Sequence, residues 1–513
     1  MQSIDGVLPG GSPPLQTGLL WNADQVAHLP AVARAPFLYV STMLGVPPSM
    51  IVFVFAMLLA IVAGAGHRLV HGTTARHLYS IAWGTCLLLL AFGRSSLLFF
   101  ALAALVYVLV PVLPRAHVNV VVFVVSLGYL SACHLYNMLV AFGEYSVDIT
   151  APMMVLAIKL IAFAQNYEDG RRLQRAETLH PREALHAYYK EHALPRYPTL
   201  IEYASYTLFY GTLLSGPFID MASYTKFIDQ TMFYEAGFRS APASTWATLR
   251  TMVNVVLAYA MVFTASFFPL SGYVHTKEFM SGTTFVYRLV YLLIAVPLFR
   301  MKYYFSWFLA EAACQACGYG FNGFSDETPE GRARRIKWDR HHTARPLQVE
   351  FAANVREQTD NWNSSVGDFL KYYVYFRIAI PAPFAKMISQ RAAAMVATRL
   401  TSAFWHGFYP SYYLFFLSAV LINVFDTGMQ RFVYPMTTKA GGVLPTPVYS
   451  FVSGLLTFSL MNYFGAAFTI LHVGDVVETW RSVYFCGHIF GICIAVLLAA
   501  VPPKRPTGKQ HVQ

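Results

Sequence analysis

The sequence predicts an all-α fold, a polytopic transmembrane helical bundle. Three observations predict it. Hydrophobic residues make up 56% of the 513 positions and charged residues only 12%, against about 25% charged in soluble globular domains. Mean hydropathy is +0.45, which is more apolar surface than a water-soluble core can hide. Apolar runs long enough to cross a bilayer as helices recur along the whole chain, without the internal repeat that marks many secondary transporters.

Taken in order, the runs lie near 48–65, 78–92, 95–113, 118–142, 149–165, 198–218, 248–270 and 284–318, and resume near 366–387, 397–425, 447–472 and 482–501. They amount to roughly eleven or twelve spans or part-spans, each needing about 17–25 residues. Several contain glycine or proline, which allows broken or re-entrant helices. Irregular backbone persists at membrane depth only where protein or a polar cavity satisfies it.

Residues 37–501 therefore read as one membrane domain, between a polar segment over 1–36 and a disordered tail over 502–513. The polar segment holds Asp5, Asp24 and several prolines and lacks the basic-then-apolar order of a signal peptide. Net charge is +11, from 37 basic and 26 acidic residues. In a membrane protein such an excess marks cytoplasmic loops rather than nucleic-acid binding. Two polar loops collect it. One covers about 166–197 and carries Arg171, Arg172, Arg175, Arg182, Lys190 and Arg196. The other covers about 322–360 and carries Arg332, Arg334, Arg335, Lys337, Arg340 and Arg345. Both read as cytoplasmic, their charge either setting topology alone or also attracting an anionic cosubstrate or headgroup. His341 and His342 lie in the second loop and read as solvated. Cys314 and Cys317 form one CxxC with no second pair in an apolar context, which reads as packing rather than metal or redox chemistry.

Two stretches carry chemistry. In TSAFWHGFYPSYYLFF (401–416), His406 stands inside an apolar run, where a polar side chain is costly unless it faces a partner or a cavity. Pro410 has no N–H, so the carbonyl of His406 loses its helical partner or the helix bends there. Gly407 removes bulk beside the imidazole. Burial would favour the neutral imidazole, the form that accepts a proton. The residues alone leave two readings of His406, a packed histidine or a reactive one. In DNWNSSVGDFLKYYVYFRI (360–378), Asn363 is either a helix cap or an amide that donates to a developing oxyanion. It precedes His406 by 43 positions, one helix out and one helix back.

WNSSVGDFLKYYVYFRI followed by SAFWHGFYPSYYL resembles the signature pair of the membrane-bound O-acyltransferase superfamily, and most closely its lysophospholipid acyltransferase branch. The stretches HLYNMLVAFGEYSVDITAPMMVLAIKLIAFAQNYEDG (134–170), PTLIEYASYTLFYGTLLSGPFIDMASYTKFI (198–228) and GFNGFSDE with KWDR (320–340) fit the same branch in the same order. The FYxDWWN-type motif of the sterol and diacylglycerol branch is absent, as is the HxxxxD motif of the unrelated glycerophosphate acyltransferases. Ser411 stands where the branch often has glycine, and the stretch between Asn363 and His406 is longer than usual.

The resemblance implies a curved helical bundle of about eleven membrane segments with internal tunnels, in the endoplasmic reticulum membrane. It implies acyl transfer from acyl-CoA, as cosubstrate, to the hydroxyl of a lysophospholipid, with no metal or prosthetic group. His406 would be the general base, and Asn363 would polarise the thioester carbonyl or align the reacting groups. Trp362, Trp405 and Gly407 would form walls of the site, Tyr373, Tyr409 and Tyr412 would line the lipid path, and His134 would be a further lining residue. The alternatives are a protein or sterol acyltransferase of the same superfamily, and a non-catalytic lipid-binding or transport protein.

Overall fold

In the computed structural model the described residues are 26–143, 147–270, 272–325, 334–378 and 389–501. The expected polar N-terminal segment lies mostly outside them, as do the tail and Arg332. Among the described residues the chain is helical, with two isolated bridges and no strand. In chain order the helices are α1 Ala31–Leu44, α2 Pro48–His67, α3 Thr73–Phe92, α4 Ser96–Val112, α5 Arg115–Val140, α6 Thr150–Leu173 and α7 Glu183–His192. They continue with α8 Leu200–Thr207, α9 Met221–Ile228, α10 Thr231–Tyr234, α11 Thr245–Ala265, α12 Lys277–Gly282, α13 Phe285–Cys317, α14 Pro346–Glu350, α15 Val355–Asn361 and α16 Ser364–Phe369. A π-helical turn, Leu370–Tyr375, follows. The last are α17 Gln390–His406, α18 Pro410–Gly428, α19 Thr446–Thr469, α20 Val473–Ser482 and α21 Cys486–Ala500.

Six of these segments are long and apolar enough to cross a membrane among the described residues, or seven if the bent pair α20 and α21 is one span. The sequence suggests roughly eleven or twelve by run length. Two of the runs, 78–92 and 95–113, count in the structure as one segment, Thr73–Val112, and the run at 366–387 lies partly outside the described residues. Three further runs differ for physical reasons. The run at 149–165 falls in α6, of whose 24 residues seventeen are buried in protein. The run at 198–218 is the eight-residue α8 followed by buried, non-helical backbone. The run at 397–425 is two helices, divided just after His406.

The described residues fall into two compact units where the sequence suggests one domain. The first comprises residues up to Leu257, Tyr303–Thr343 and Ser365–Phe408; the second comprises Ala258–Lys302, Ala344–Ser364 and the chain from Tyr409.

In the first unit α6 is the central element. Apart from Lys159, its first four turns are apolar around their whole circumference, which is how a helix wrapped by other helices reads. It also carries charge that lipid would not tolerate. Lys159 is 1% exposed and donates to the Tyr206 carbonyl at 2.9 Å. That carbonyl belongs to the last turn of α8, where a cation complements the helix dipole. Asp169, also 1% exposed, accepts a two-pronged hydrogen bond from Arg377, at 2.8 Å through Nη1. Paired this way, the buried Asp169 carboxylate is not left uncompensated. Gly170 lets Leu194 come close: a methyl group there would lie 1.7 Å from the Leu194 carbonyl oxygen.

The polar stretch 166–197 is thus not an open loop. Its first eight residues continue α6, α7 follows, and Tyr188 stacks between His192, at 4.1 Å, and Tyr372, at 3.8 Å. The CxxC thiols are buried and donate to carbonyls, Cys314 to Gly211 and Cys317 to Cys314, in keeping with packing.

In the second charged loop His341 departs from its expected solvation. Its ring stacks on Tyr319 at 4.6 Å, and Nε2 is enclosed. His342 instead pairs with Glu311 at 3.4 Å. Burial, and then the nearby Arg340 and His342, push the His341 imidazole from 6.5 down to about 3. The unfolded chain takes up this proton near 6.5 and the folded chain does not, so the contribution is complete above 6.5 and is lost as pH falls toward 3. Thermal melting in detergent is expected to weaken more steeply between pH 6.5 and 4 in the wild type than in His341→Phe, which keeps the stacked ring but cannot protonate. Parallel pH profiles would contradict this.

The second unit has its own apolar core, in which Phe425, Tyr463, Phe464 and Trp480 are buried. α18 packs against α19 and α21. Arg300 forms a half-buried ion pair with Glu350 and donates to the Asn462 side chain, tying the first half of α13 to α14 and α19.

Candidate functional site

The first unit gathers four of the expected site residues, His134, Trp405, His406 and Gly407. His406 is the last residue of α17, and Gly407 turns the chain out of the helix at φ 112°, ψ −164°. This is a backbone conformation that costs glycine little and an L side chain more. The Gly407 N–H donates to the Ala403 carbonyl at 3.2 Å and closes the last turn. Pro410 is then the first residue of α18, where its missing N–H is not needed. Of the two possibilities the sequence left, a freed carbonyl inside a helix or a break, the structure has the break.

Trp405 is held at both ends. Its indole Nε1 donates to the Met154 carbonyl of α6 at 2.8 Å, and its own carbonyl accepts from His134 Nε2 at 3.1 Å. A carbonyl only accepts, so His134 Nε2 carries a proton. The Trp405 and His406 rings meet edge to face at 4.8 Å. His406 itself is half-buried, whereas Trp405 is 7% exposed. Three helices thus build the arrangement: α5 supplies His134, α6 the Met154 carbonyl, and α17 the turn they hold.

Tyr373, in the same unit, lies elsewhere. It is 1% exposed, packs on Phe218 and Phe369, and receives Gln165 Nε2 on its carbonyl at 3.1 Å. None of these neighbours belongs to the His406 cluster. Tyr373 therefore sits as a core residue of the segment that leaves the WNSS motif. Ser365 of that motif accepts a hydrogen bond from the Phe218 N–H at 3.1 Å, which ties the start of this segment to the backbone after α8.

The second unit holds Asn363, Trp362, Tyr409 and Tyr412. Trp362 follows the last turn of α15, its N–H donating to the Gln358 carbonyl at 3.1 Å. Asn363 has φ 44°. A helix N-cap takes an extended conformation, so the capping reading of Asn363 does not fit its backbone. Asparagine is among the few residues that enter this left-handed region readily, and such positions concentrate at functional sites. Tyr412 stacks on Phe468 at 4.4 Å, and Tyr409 meets Tyr412 edge to face at 5.5 Å. Ser411 is fully buried, and its hydroxyl has no hydrogen-bond partner among the described residues.

Sequence reasoning passed over Lys159, Asp169 and the Met154 carbonyl. Lys159 and Asp169 had a readable signal, since an ionisable residue in or beside an apolar run marks a protein-facing surface. A backbone carbonyl leaves none.

Residues 134–465 match the family model described as MBOAT, membrane-bound O-acyltransferase family. The chain is similar to lysophospholipid acyltransferase 2 of Arabidopsis thaliana, 29% identical over 451 residues, 86% of this chain and 92% of that protein. It is similar to the lysophospholipid acyltransferase of Schizosaccharomyces pombe, 30% identical over 486 residues, 91% of this chain and 89% of that protein. It is also similar to membrane-bound glycerophospholipid O-acyltransferase 2 of Homo sapiens, 27% identical over 481 residues, 90% of this chain and 86% of that protein.

Proposed function

The chain belongs to the membrane-bound O-acyltransferase family, and on that premise we propose that it is a lysophospholipid acyltransferase, moving an acyl chain from acyl-CoA to the free glycerol hydroxyl of a lysophospholipid. The observation that carries this reading is the likeness, across 91% of the chain, to a protein named for that activity. The half-buried His406 at a helix break and the left-handed Asn363 support it.

In the proposed reaction a ring nitrogen of His406 takes the proton of the glycerol hydroxyl as its oxygen attacks the thioester carbonyl carbon. General-base help of this kind contributes about 10²–10⁴-fold. The Asn363 amide donates to the oxyanion that develops. The carbon–sulfur bond then breaks, the carbonyl re-forms as an ester, and the departing thiolate takes the proton from the imidazolium to leave as CoA thiol. Acceptor and product are both lipids, and a multi-pass protein lets them stay in the bilayer. Lifting an acyl chain into water costs about 0.8 kcal/mol per CH₂. The endoplasmic reticulum membrane is the proposed location, on the family resemblance.

The test is an acyl-transfer assay on the purified protein in detergent, with labelled acyl-CoA and lysophospholipids bearing choline, ethanolamine, serine and inositol headgroups. Labelled diacyl product with matching release of CoA thiol is expected with at least one of them. No release with any lysophospholipid removes the proposal, and label found in a sterol or on a protein hydroxyl transfers it to another branch.

A further inference from the structure

We propose that His134 is a positioning residue for His406 rather than a substrate contact; this rests on the acyltransferase reading above. The two residues that flank His406 in sequence are the two that His134 holds. Its Nε2–H binds the Trp405 carbonyl at 3.1 Å. Its ring lies against Gly407 so closely that a methyl group there would come within 3.2 Å of Cγ and 3.3 Å of Nδ1. His134 lies 271 residues from Trp405 in the chain, on a different helix.

The arrangement answers a structural need. The last four carbonyls of a helix have no partner inside it. The Trp405 carbonyl is one of these, because its usual donor four residues on falls beyond the end of α17. Water meets this need at exposed helix ends. Here an imidazole from α5 meets it, and its other contact is the left-handed glycine that sets the exit of the chain. With the Trp405 indole anchored on Met154 as well, the backbone on both sides of His406 is fixed by side chains and carbonyls of α5 and α6. The direction of the His406 side chain follows from that backbone. A misplacement of about 1 Å at a reacting group can cost about 10²-fold in rate. Gly407 is then accounted for by His134: the small residue makes room for the anchoring ring.

The experiment compares His134→Phe, which keeps a ring against Gly407 but cannot donate, with His134→Gln, whose terminal amide can reach the Trp405 carbonyl. His134→Phe is expected to lose about 10–100-fold in kcat, with KM for acyl-CoA and for the lysophospholipid within about twofold of wild type. His134→Gln is expected to stay within about threefold of wild type. A second measurement does not depend on turnover. Hydrogen–deuterium exchange of the peptide covering 401–409 is expected to speed up at least about tenfold in His134→Phe and to stay near wild type in His134→Gln. A raised KM for the lysophospholipid with kcat unchanged would make His134 a substrate contact and overturn the inference. So would unchanged exchange in His134→Phe, or equal losses in both variants. If the wild type itself transfers no acyl chain, the proposed activity fails, while the exchange measurement still decides whether His134 anchors the turn.

Discussion

His406→Ala is expected to reduce acyl transfer by about 10²–10⁴-fold, the contribution of a positioned general base, while the protein inserts and melts close to wild type. The expectation of an intact fold comes from position. His406 is the last residue of α17, half-buried, and the turn that follows it is closed by main-chain and neighbouring groups: Gly407 N–H on Ala403, Trp405 indole on Met154, and His134 on the Trp405 carbonyl. None of these bonds uses the His406 side chain. The turn that positions the imidazole is therefore held by other groups when the imidazole is removed. The measurement is kcat on purified protein in detergent beside a thermal melt of the same preparation. A packed histidine would give the reverse pattern, a lowered melting temperature with most of the turnover kept in the surviving protein, and that result would withdraw the base role. His406→Gln, which keeps polar bulk but accepts no proton at neutral pH, is expected to be as inactive as His406→Ala.

The sequence made some of this legible and not the rest, for physical reasons. The membrane character follows from composition, because no arrangement of 12% charged residues can coat so much apolar surface. The interruption at His406 is equally local. Gly407 and Pro410 cannot both continue one helix at low cost, and the chain breaks between them. The number of spans is not local. A helix that is apolar all round reads the same whether lipid or protein surrounds it, and α6 differs from α2 only through Lys159 and the polar residues at its end. The environment of His341 was misread for a related reason, since a charged loop in sequence does not reveal that Tyr319 lies flat against the ring. The pairing of His134 with Trp405 joins residues 271 apart through one imidazole and one backbone carbonyl. Either histidine can be singled out for its apolar surroundings, but nothing local says that one holds the other's backbone.

Asn363→Ala is expected to lower kcat by about 10²–10³-fold, the usual cost of removing one donor to a developing oxyanion. The interpretation needs a control, because Asn363 has φ 44°. Alanine in the left-handed region pays about 1–2 kcal/mol that asparagine largely escapes, so the alanine variant mixes a lost amide with a strained backbone. Asn363→Gly separates them. Glycine takes this conformation freely and also lacks the amide, so it is expected to keep the melting temperature and still lose about as much turnover as alanine. Asn363→Asp keeps a residue that tolerates the conformation but replaces an N–H donor with a carboxylate, which repels an oxyanion; it is expected to be no more active than glycine. If Asn363→Gly instead retains near-normal turnover, the amide does no chemistry. Asn363 would then matter only as a backbone hinge between α15 and α16, and the proposed reaction would have to draw its oxyanion donor from another group.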